Sequence, residues 1–422
     1  AAKEGSAILF KNGTWTVTNT VFKNNTSVSN GGAIYAHTGS LTLTGGSFSG
    51  NKTTSGSVGG GAIYVTTNAK LTVDGTTFSE NSAQKTGSTG AGKGGAICIA
   101  NSAAASHTIK NATFTANTDA LAGGALFIDT KAVEIDGCTF DGNSAKGHGG
   151  AVYATGAATF TIKNSTFEEN VLNADLAGGA IYSNATSTGN LISATKFISN
   201  STKGNGGAVY WSGSGRLAVD KSYFEGNVAT KQGAAIRKTN GLLYLNATSF
   251  TENKSGGERT GGVIRLEKDS FINNCCFYGN EADIAHTDLV LVGGTTTVLN
   301  STLYESDGTM ACVRVYNSGV VANLYNNVLL NPNTGSADGS VRVGYYANPG
   351  SITSPGYNYT TEWKPLVNSG VTGSVTMAGT DKVVAYNDVS GNFTSATTTD
   401  GRGYYTWTMP ADVNGTSAAN VT

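Results

Sequence analysis

One pattern constrains this chain more than any other: a glycine pair, a short apolar run and then a Phe-x-x-Asn element, repeated in fixed order. The stretch GGAIYAHTGSLTLTGGSFSGN at residues 31–51 is one copy. Glycine pairs begin at Gly31, Gly60, Gly94, Gly123, Gly149, Gly178 and Gly206, with degenerate copies at Gly5, Gly233 and Gly261. In step with them run Phe22/Asn25, Phe48/Asn51, Phe78/Asn81, Phe114/Asn117, Phe140/Asn143, Phe167/Asn170, Phe197/Asn200, Phe224/Asn227, Phe250/Asn253 and Phe277/Asn280. Successive starts lie 26 to 34 residues apart. A period of that size marks a solenoid and overrides the two or three domains that 422 residues would otherwise suggest.

Each unit holds three short runs with strand chemistry: Ala-Ile-Tyr-x, an alternating run such as Leu71-Thr72-Val73 or Thr161-Ile162-Lys163, and the run that carries the Phe. Alternation with Thr, Val, Ile and Tyr means strand, and no segment has the 3.6-residue period of a crossover helix. Three strands per turn without a helix describe a right-handed parallel β-helix, all-β and pectin-lyase-like, of about 13 coils and about 60 Å at the usual strand spacing. Ile34 and Ala36 then point inward, while Tyr35 and His37 point outward. The glycine pair makes a sharp corner. Asn closing Phe-x-x-Asn suits a left-handed or bridging conformation at the second corner, where stacked amides can bond from coil to coil. Asp74, Asp136 and Asp220 read as turn residues in a column with Asn111, Asn164 and Asn246. Insertions such as residues 82–93 collect between Asn and the glycines, so that corner is a loop face.

The repeats span about residues 5–280, and degenerate coils follow over about 281–345, with strands expected at 289–292, 311–316 and 341–345. Pro332, Pro349, Pro355 and Pro365 mark a shift in composition, so 346–422 reads as irregular final coils and a cap. The opening residues already read as part of a coil without a polar cap, so the chain is expected to be a piece of something longer or to have that end covered by another segment. Only 13% of residues are charged and the net charge is -1, which excludes a nucleic-acid binder of the basic-patch kind. The 58 glycines follow no Gly-X-Y period, so collagen is excluded. Cysteines at 98, 138, 275, 276 and 312 form neither a disulfide framework nor a zinc pattern and read as buried thiols. No apolar run is long enough to span a membrane.

The pairing of GGA[ILV] with FxxN resembles the polymorphic outer membrane protein repeat. The resemblance implies a surface-exposed β-helical passenger of a bacterium, secreted or displayed on the outer membrane or cell wall, and an adhesive role. SPGYNYT at 354–360 resembles the end of β-helical surface proteins of gut bacteria. The chain departs from autotransporter members in lacking a run of barrel strands.

Parallel β-helices also carry lyases and glycoside hydrolases, which need clustered carboxylates on one face. The first-strand outward column reads Tyr35, Tyr64, Cys98, Phe127, Tyr153, Tyr182, Tyr210, Arg237, Arg265, Leu291, Arg314 and Arg342. In the next outward column Asp129 and Glu267 stand five coils, or roughly 24 Å, apart, too far for a shared acid–base pair. His37, His107, His148 and His286 fall at different coil positions, so no metal site or cofactor is expected. Asn12, Asn24, Asn51, Asn111, Asn164 and Asn246 begin Asn-x-Ser/Thr sequons. The expected function is that of a non-catalytic, monomeric surface adhesin or glycan-binding protein, whose partners are host or dietary glycans or a surface protein. A polysaccharide-active enzyme is the first alternative and an inert spacer stalk the second. The candidate ligand-binding residues are Phe127, Tyr153, Tyr182, Tyr210, Arg237 and Arg265, where a sugar could stack on the rings and the arginines could meet acidic groups. Rings that only brace the sheet are the competing explanation.

Overall fold

The computed structural model describes residues 4–54, 59–83, 92–102, 106–119, 121–256, 261–282, 288–304, 312–330, 345–347, 350–360 and the short pieces 374–376, 378–380, 382–383, 393–397 and 403–407. Every regular element in them is a strand. The chain forms two compact units, Ala1–Ala218 with Glu225–Leu242, and Val219–Phe224 with Leu243–Thr422. Each is a parallel β-solenoid.

In the first unit the first strands stack in parallel from Ile8–Phe10 through Ile34–Thr44, Ile63–Asp74 and onward to Ile236–Lys238. Second strands stack beside them, for example Ala132–Asp136 on Thr159–Lys163. The Phe strands stack from Val21–Lys23 to Lys196–Ile198 with the rings in register. Two-residue corner strands such as Ser144–Ala145 complete each turn. In the second unit the same three strands recur, as in Ile264–Leu266, Ser270–Asn273 and Cys276–Tyr278. Together the two units complete about 11 turns, against about 13 expected. Among the described residues corner strands stop at Glu281–Ala282, first strands stack on to Tyr345–Ala347, and the last pairing is an antiparallel hairpin, Phe393–Thr397 with Gly403–Trp407.

The glycine pair needs both members for different reasons. Gly149 holds φ at +70, in the left-handed region. Gly150 lies where a Cβ would overlap the carbonyl oxygen of Gly179 in the next coil. The first glycine bends the chain and the second lets coils approach.

The second corner differs from expectation. The left-handed residue is the one before the Asn: Asn24, Glu80, Ala116, Glu169, Ser199 and Glu252, or a glycine at Gly50, Gly142 and Gly226. The asparagine itself turns inward. Asn143 is fully buried and uses its whole amide: Nδ2 donates to Phe114 O at 2.9 Å and Asn170 Oδ1 at 3.0 Å, and Oδ1 accepts from the backbone and side-chain nitrogens of Asn117 at 3.0 Å. The same bonds join Asn25, Asn51, Asn81, Asn117, Asn143, Asn170, Asn200 and Asn227. In the second unit Asn253 donates to Asn280, and Asn280 donates to the carboxyl of Asp288 at 3.0 Å. Burial holds that carboxyl well above the usual range, against the pull of the Asn280 hydrogen bond.

Beside the amides the phenylalanines stack. Phe22, Phe48, Phe78, Phe114, Phe140, Phe167 and Phe197 follow one another at 4.5–5.1 Å between centroids and within 11° of parallel. Phe224, Phe250 and Phe277 stack in the second unit at 4.7–5.0 Å and within 16° of parallel. Aliphatic residues fill the rest of the core, with a polar exception in the first-strand inward column, where Ala154, Ser183, Trp211 and Lys238 succeed one another. Trp211 and Lys238 are both buried, with Lys238 Nζ 5.7 Å from the indole and donating to Asn240 O. At the N-terminal coil Trp15 occupies the inward position of Leu41 and packs edge-on against buried Phe10, 5.3 Å between centroids.

The turn residues also separate from the expected column. Asp74 and Asp136 alternate with Lys110 and Lys163 on the last residue of the second strand. Asn111 and Asn164 stand one residue further on, at positive φ, and donate to Asp74 and Asp136 at 2.8 Å. Asn246 does so to Asp220 at 2.7 Å. Of the sequon asparagines, Asn51 is buried in the amide ladder.

Two predictions follow from the core. Phe140→Ala opens a gap in the ring stack and is expected to cost about 3–5 kcal/mol, whereas Thr155→Ala, facing outward, should cost under about 0.5 kcal/mol; equal urea midpoints would mean that the faces are reversed. Burial lowers the Lys238 amine from 10.5 to about 7. Between those values the unfolded chain binds a proton that the folded chain does not, so this group's contribution to stability rises with pH across that window. The melting temperature of the parent relative to Lys238→Met should therefore climb from pH 7 to pH 10; a constant difference would contradict it.

Candidate functional site

The first-strand column forms as read from Tyr35 to Arg237. Tyr35 pairs with Tyr64, Tyr64 with Cys98, Cys98 with Phe127, Phe127 with Tyr153, Tyr153 with Tyr182, Tyr182 with Tyr210, and Tyr210 with Arg237. In the second unit the column differs. Arg265 is followed by Val290, not Leu291, because Leu291 points inward and is buried; Arg314 is followed by Tyr346, not Arg342. Arg342 and His286 lie outside the described residues.

The site expected on this face changes character once its geometry is known. Tyr153 lies 5.3 Å from Phe127 and 5.0 Å from Tyr182, and Tyr182 lies 5.4 Å from Tyr210, all within 16° of parallel. Each ring therefore spends its faces on the rings above and below. Arg237 covers the remaining face of Tyr210 at 5.5 Å. Outward the row presents only ring edges and phenol hydroxyls, such as Tyr182 Oη, which lies 3.2 Å from Ser212 Oγ. Phe127 is not an open platform at all: it is 4% exposed, packed with Cys98 and Ala122, and roofed by the Lys93 ammonium at 4.6 Å. Arg265 is 8% exposed and its Nε donates to Glu267 at 3.3 Å. Tyr153, Tyr182, Tyr210 and Arg237 are thus brought together on the first unit, Phe127 is beneath the surface, and Arg265 belongs to the second unit.

Burial raises the Tyr153 phenol above its ordinary value, with Tyr182 adding to the effect. His148 flanks the row, 4.4 Å from Tyr182, and accepts from the backbone of Ala177 at Nδ1; burial lowers it, so the ring is neutral near pH 7 and carries its proton on Nε2. His107 is also neutral, lowered to about 4 by burial and then by Lys70, and accepts from Leu71 N. Four of the five thiols are buried and Cys276 is half-buried; burial pushes Cys138 up to about 11 and Cys275 and Cys276 to about 12, which removes them as nucleophiles.

Several carboxylates on the outward faces are engaged. Glu134 lies between Lys163 at 3.4 Å and Lys110 at 3.8 Å, and Asp74, Asp136 and Asp220 take amide donors. One arrangement escaped the sequence reading, which looked only at the first-strand face. Asp141 and Glu168 stand directly opposite each other on neighbouring Phe strands, flanked by Thr139 and Thr166. The signal was available: both follow the Phe by one residue in consecutive repeats. Among the described residues no three His, Cys, Asp or Glu side chains gather to hold a metal ion, and no helix is long and apolar enough to cross a membrane.

With the geometry in place, one comparison bears on the architecture. Residues 6–197 match the family model described as the right handed beta helix region. The fold is that of a right-handed parallel β-helix, and the same coil plan continues past the matched residues. A comparison with curated proteins finds no match.

Tyr182→Ser tests the bracing role of the row. It removes two ring stacks, so an expected loss of about 1–3 kcal/mol, measured by urea unfolding, follows; a midpoint unchanged within error would free the rings for another role.

Proposed function

We propose that this protein is a non-catalytic β-helix displayed outside a bacterial cell, of the polymorphic outer membrane protein repeat kind, which acts by holding glycans or a surface protein on its outward faces. The observation that carries this reading is the commitment of the carboxylates: on the faces where sugar chemistry would be done, Asp74, Asp136, Asp220, Glu134 and Glu267 are tied to amides or cations within the scaffold. A carboxylate held in a structural bond is a poor general acid or base. The recurrence of GGA[ILV] with FxxN supports the surface-passenger reading, and the fully bonded coils supply a stiff support for display.

The Tyr153–Tyr182–Tyr210–Arg237 row contributes through hydroxyls and the guanidinium, which favours contact with the rim of an acidic sugar over stacking. A glycan array on the purified chain, read together with a turnover assay on pectate, alginate and glycosaminoglycans with and without calcium, tests the proposal. Retention of at least one glycan class without product release is the expected result.

A second reading rests on Asp141 and Glu168. Their strands lie about 5 Å apart, a spacing that lets two carboxyl groups approach the separation used by retaining glycosidases. Steady product release that Asp141→Asn or Glu168→Gln abolishes would establish that reading in place of the first.

A further inference from the structure

Wherever asparagine precedes glycine, the backbone can react with its own side chain. The glycine nitrogen has no side chain beside it, so it can reach the asparagine carboxamide and close a five-membered ring. Among the described residues four asparagines stand in that position: Asn12, Asn30, Asn205 and Asn240. The fold treats them differently. Gly31 N donates to Gly59 O at 3.1 Å and Gly206 N to Gln232 O at 2.9 Å, both within the bonds that join coil to coil. A nitrogen held in that way cannot attack without breaking a bond of the scaffold.

Asn240 is the opposite case. It lies on the turn after Ile236–Lys238 and is exposed. The N–H of Gly241 is turned to Asn240 Oδ1, at 2.9 Å. The attacking nitrogen is thereby held against the carboxamide whose carbon it must reach.

The core supplies the second half of the site. Lys238 is buried, and its Nζ donates to the backbone oxygen of Asn240. That oxygen and Gly241 N belong to one peptide group. When the nitrogen gives up its proton, the negative charge spreads onto the oxygen, where the lysine N–H already points. Asn12 has no such help. It is exposed, and among the described residues no side chain donates to its carbonyl oxygen.

We infer that Asn240 is a self-modification site: it closes onto Gly241 to a succinimide, with Lys238 stabilising the ionised peptide group, and reopens mainly as isoaspartate. In the first step Gly241 N loses its proton to solvent and bonds to Asn240 Cγ. The Cγ–Nδ2 bond breaks, and ammonia leaves with a proton from solvent. In the second step water adds to an imide carbonyl and that carbon's bond to nitrogen breaks. Lys238 polarises the α-carbonyl, so water adds there. The chain then runs through Cγ, and the oxygen that Lys238 held becomes part of a free carboxylate. One water enters, one ammonia leaves, and nothing is oxidised or reduced. The buried amine ends beside a carboxylate where a neutral carbonyl stood, so the change made at an exposed turn is recorded in the core. The inference does not depend on the glycan-binding reading above.

The test incubates the whole folded chain in neutral buffer. Peptides holding Asn12, Asn30, Asn205 and Asn240 are followed by mass spectrometry, with isoaspartate and aspartate told apart by fragmentation. Asn240 should convert about tenfold faster than Asn12, a smaller factor than one donor contributes in a closed site. Its product should be richer in isoaspartate, and Asn30 and Asn205 should stay unconverted. Lys238→Met should remove most of that rate advantage and lower the isoaspartate share at residue 240 to that at residue 12, with Asn12 itself unaffected. Loosened packing alone acts the other way, since a freer turn converts faster. In the urea-unfolded chain Asn12 and Asn240 should convert alike. An Asn240 rate no higher than that of Asn12 would overturn the inference. So would an equal or faster rate in Lys238→Met, or a gap between the two sites that persists in urea. Should Lys238→Met not fold, the comparison of Asn240 with Asn12 in the parent, folded and in urea, decides alone.

Discussion

Backbone hydrogen bonds between successive coils force each position to lie on its own counterpart in the coils above and below. Everything else in this structure follows from that constraint. A residue type placed once is tolerated only if it stacks well on itself or on its replacement. Phenylalanine stacks face to face, asparagine bonds to asparagine with no valence left over, and glycine clears the carbonyl of the next glycine. The repeat is thus a list of self-compatible side chains. Where the chain departs from it, as at Trp211 and Lys238, the departure comes in neighbouring coils, because one misfit needs another to pack against.

The three main strands of each turn and the sense of most of their side chains were legible in the sequence, because alternation and the two-motif register leave little freedom. Ile34 and Ala36 inward, Tyr35 and His37 outward, follow from period two alone. The detail of the second corner was not legible. Asparagine has two common uses, a left-handed backbone and an inward amide, and the sequence Phe-x-x-Asn does not say which residue takes the positive φ. Only the structure shows Glu80 and Ala116 doing so while Asn81 and Asn117 turn in. The column after Arg265 slipped by one residue because the degenerate coils have no glycine pair to fix the count.

The candidate site was legible as a set of residues and illegible as a surface. A column of tyrosines reads the same whether the rings splay or stack. Interplanar angles within 16° on the first unit and 50° between Tyr244 and Phe271 separate the two cases. Burial of Phe127 beneath Lys93 could not be read either, since the two are brought together by coils rather than by spacing. The same rule that builds the scaffold therefore hides aromatic faces wherever the column is regular.

The inward asparagines also have a direction. Each donates from its nitrogen to the oxygen of the next coil, so their amide dipoles point the same way along the solenoid. Such a file behaves as a helix does electrically, with its positive end at the last donor. In the second unit that last donor, Asn280, meets the carboxyl of Asp288 in the place where another amide would stand. An acidic group is what the end of a dipole of that sense favours, yet burial keeps this one hard to ionise. The file therefore ends on a group that accepts its last hydrogen bond without bringing a full charge into the core.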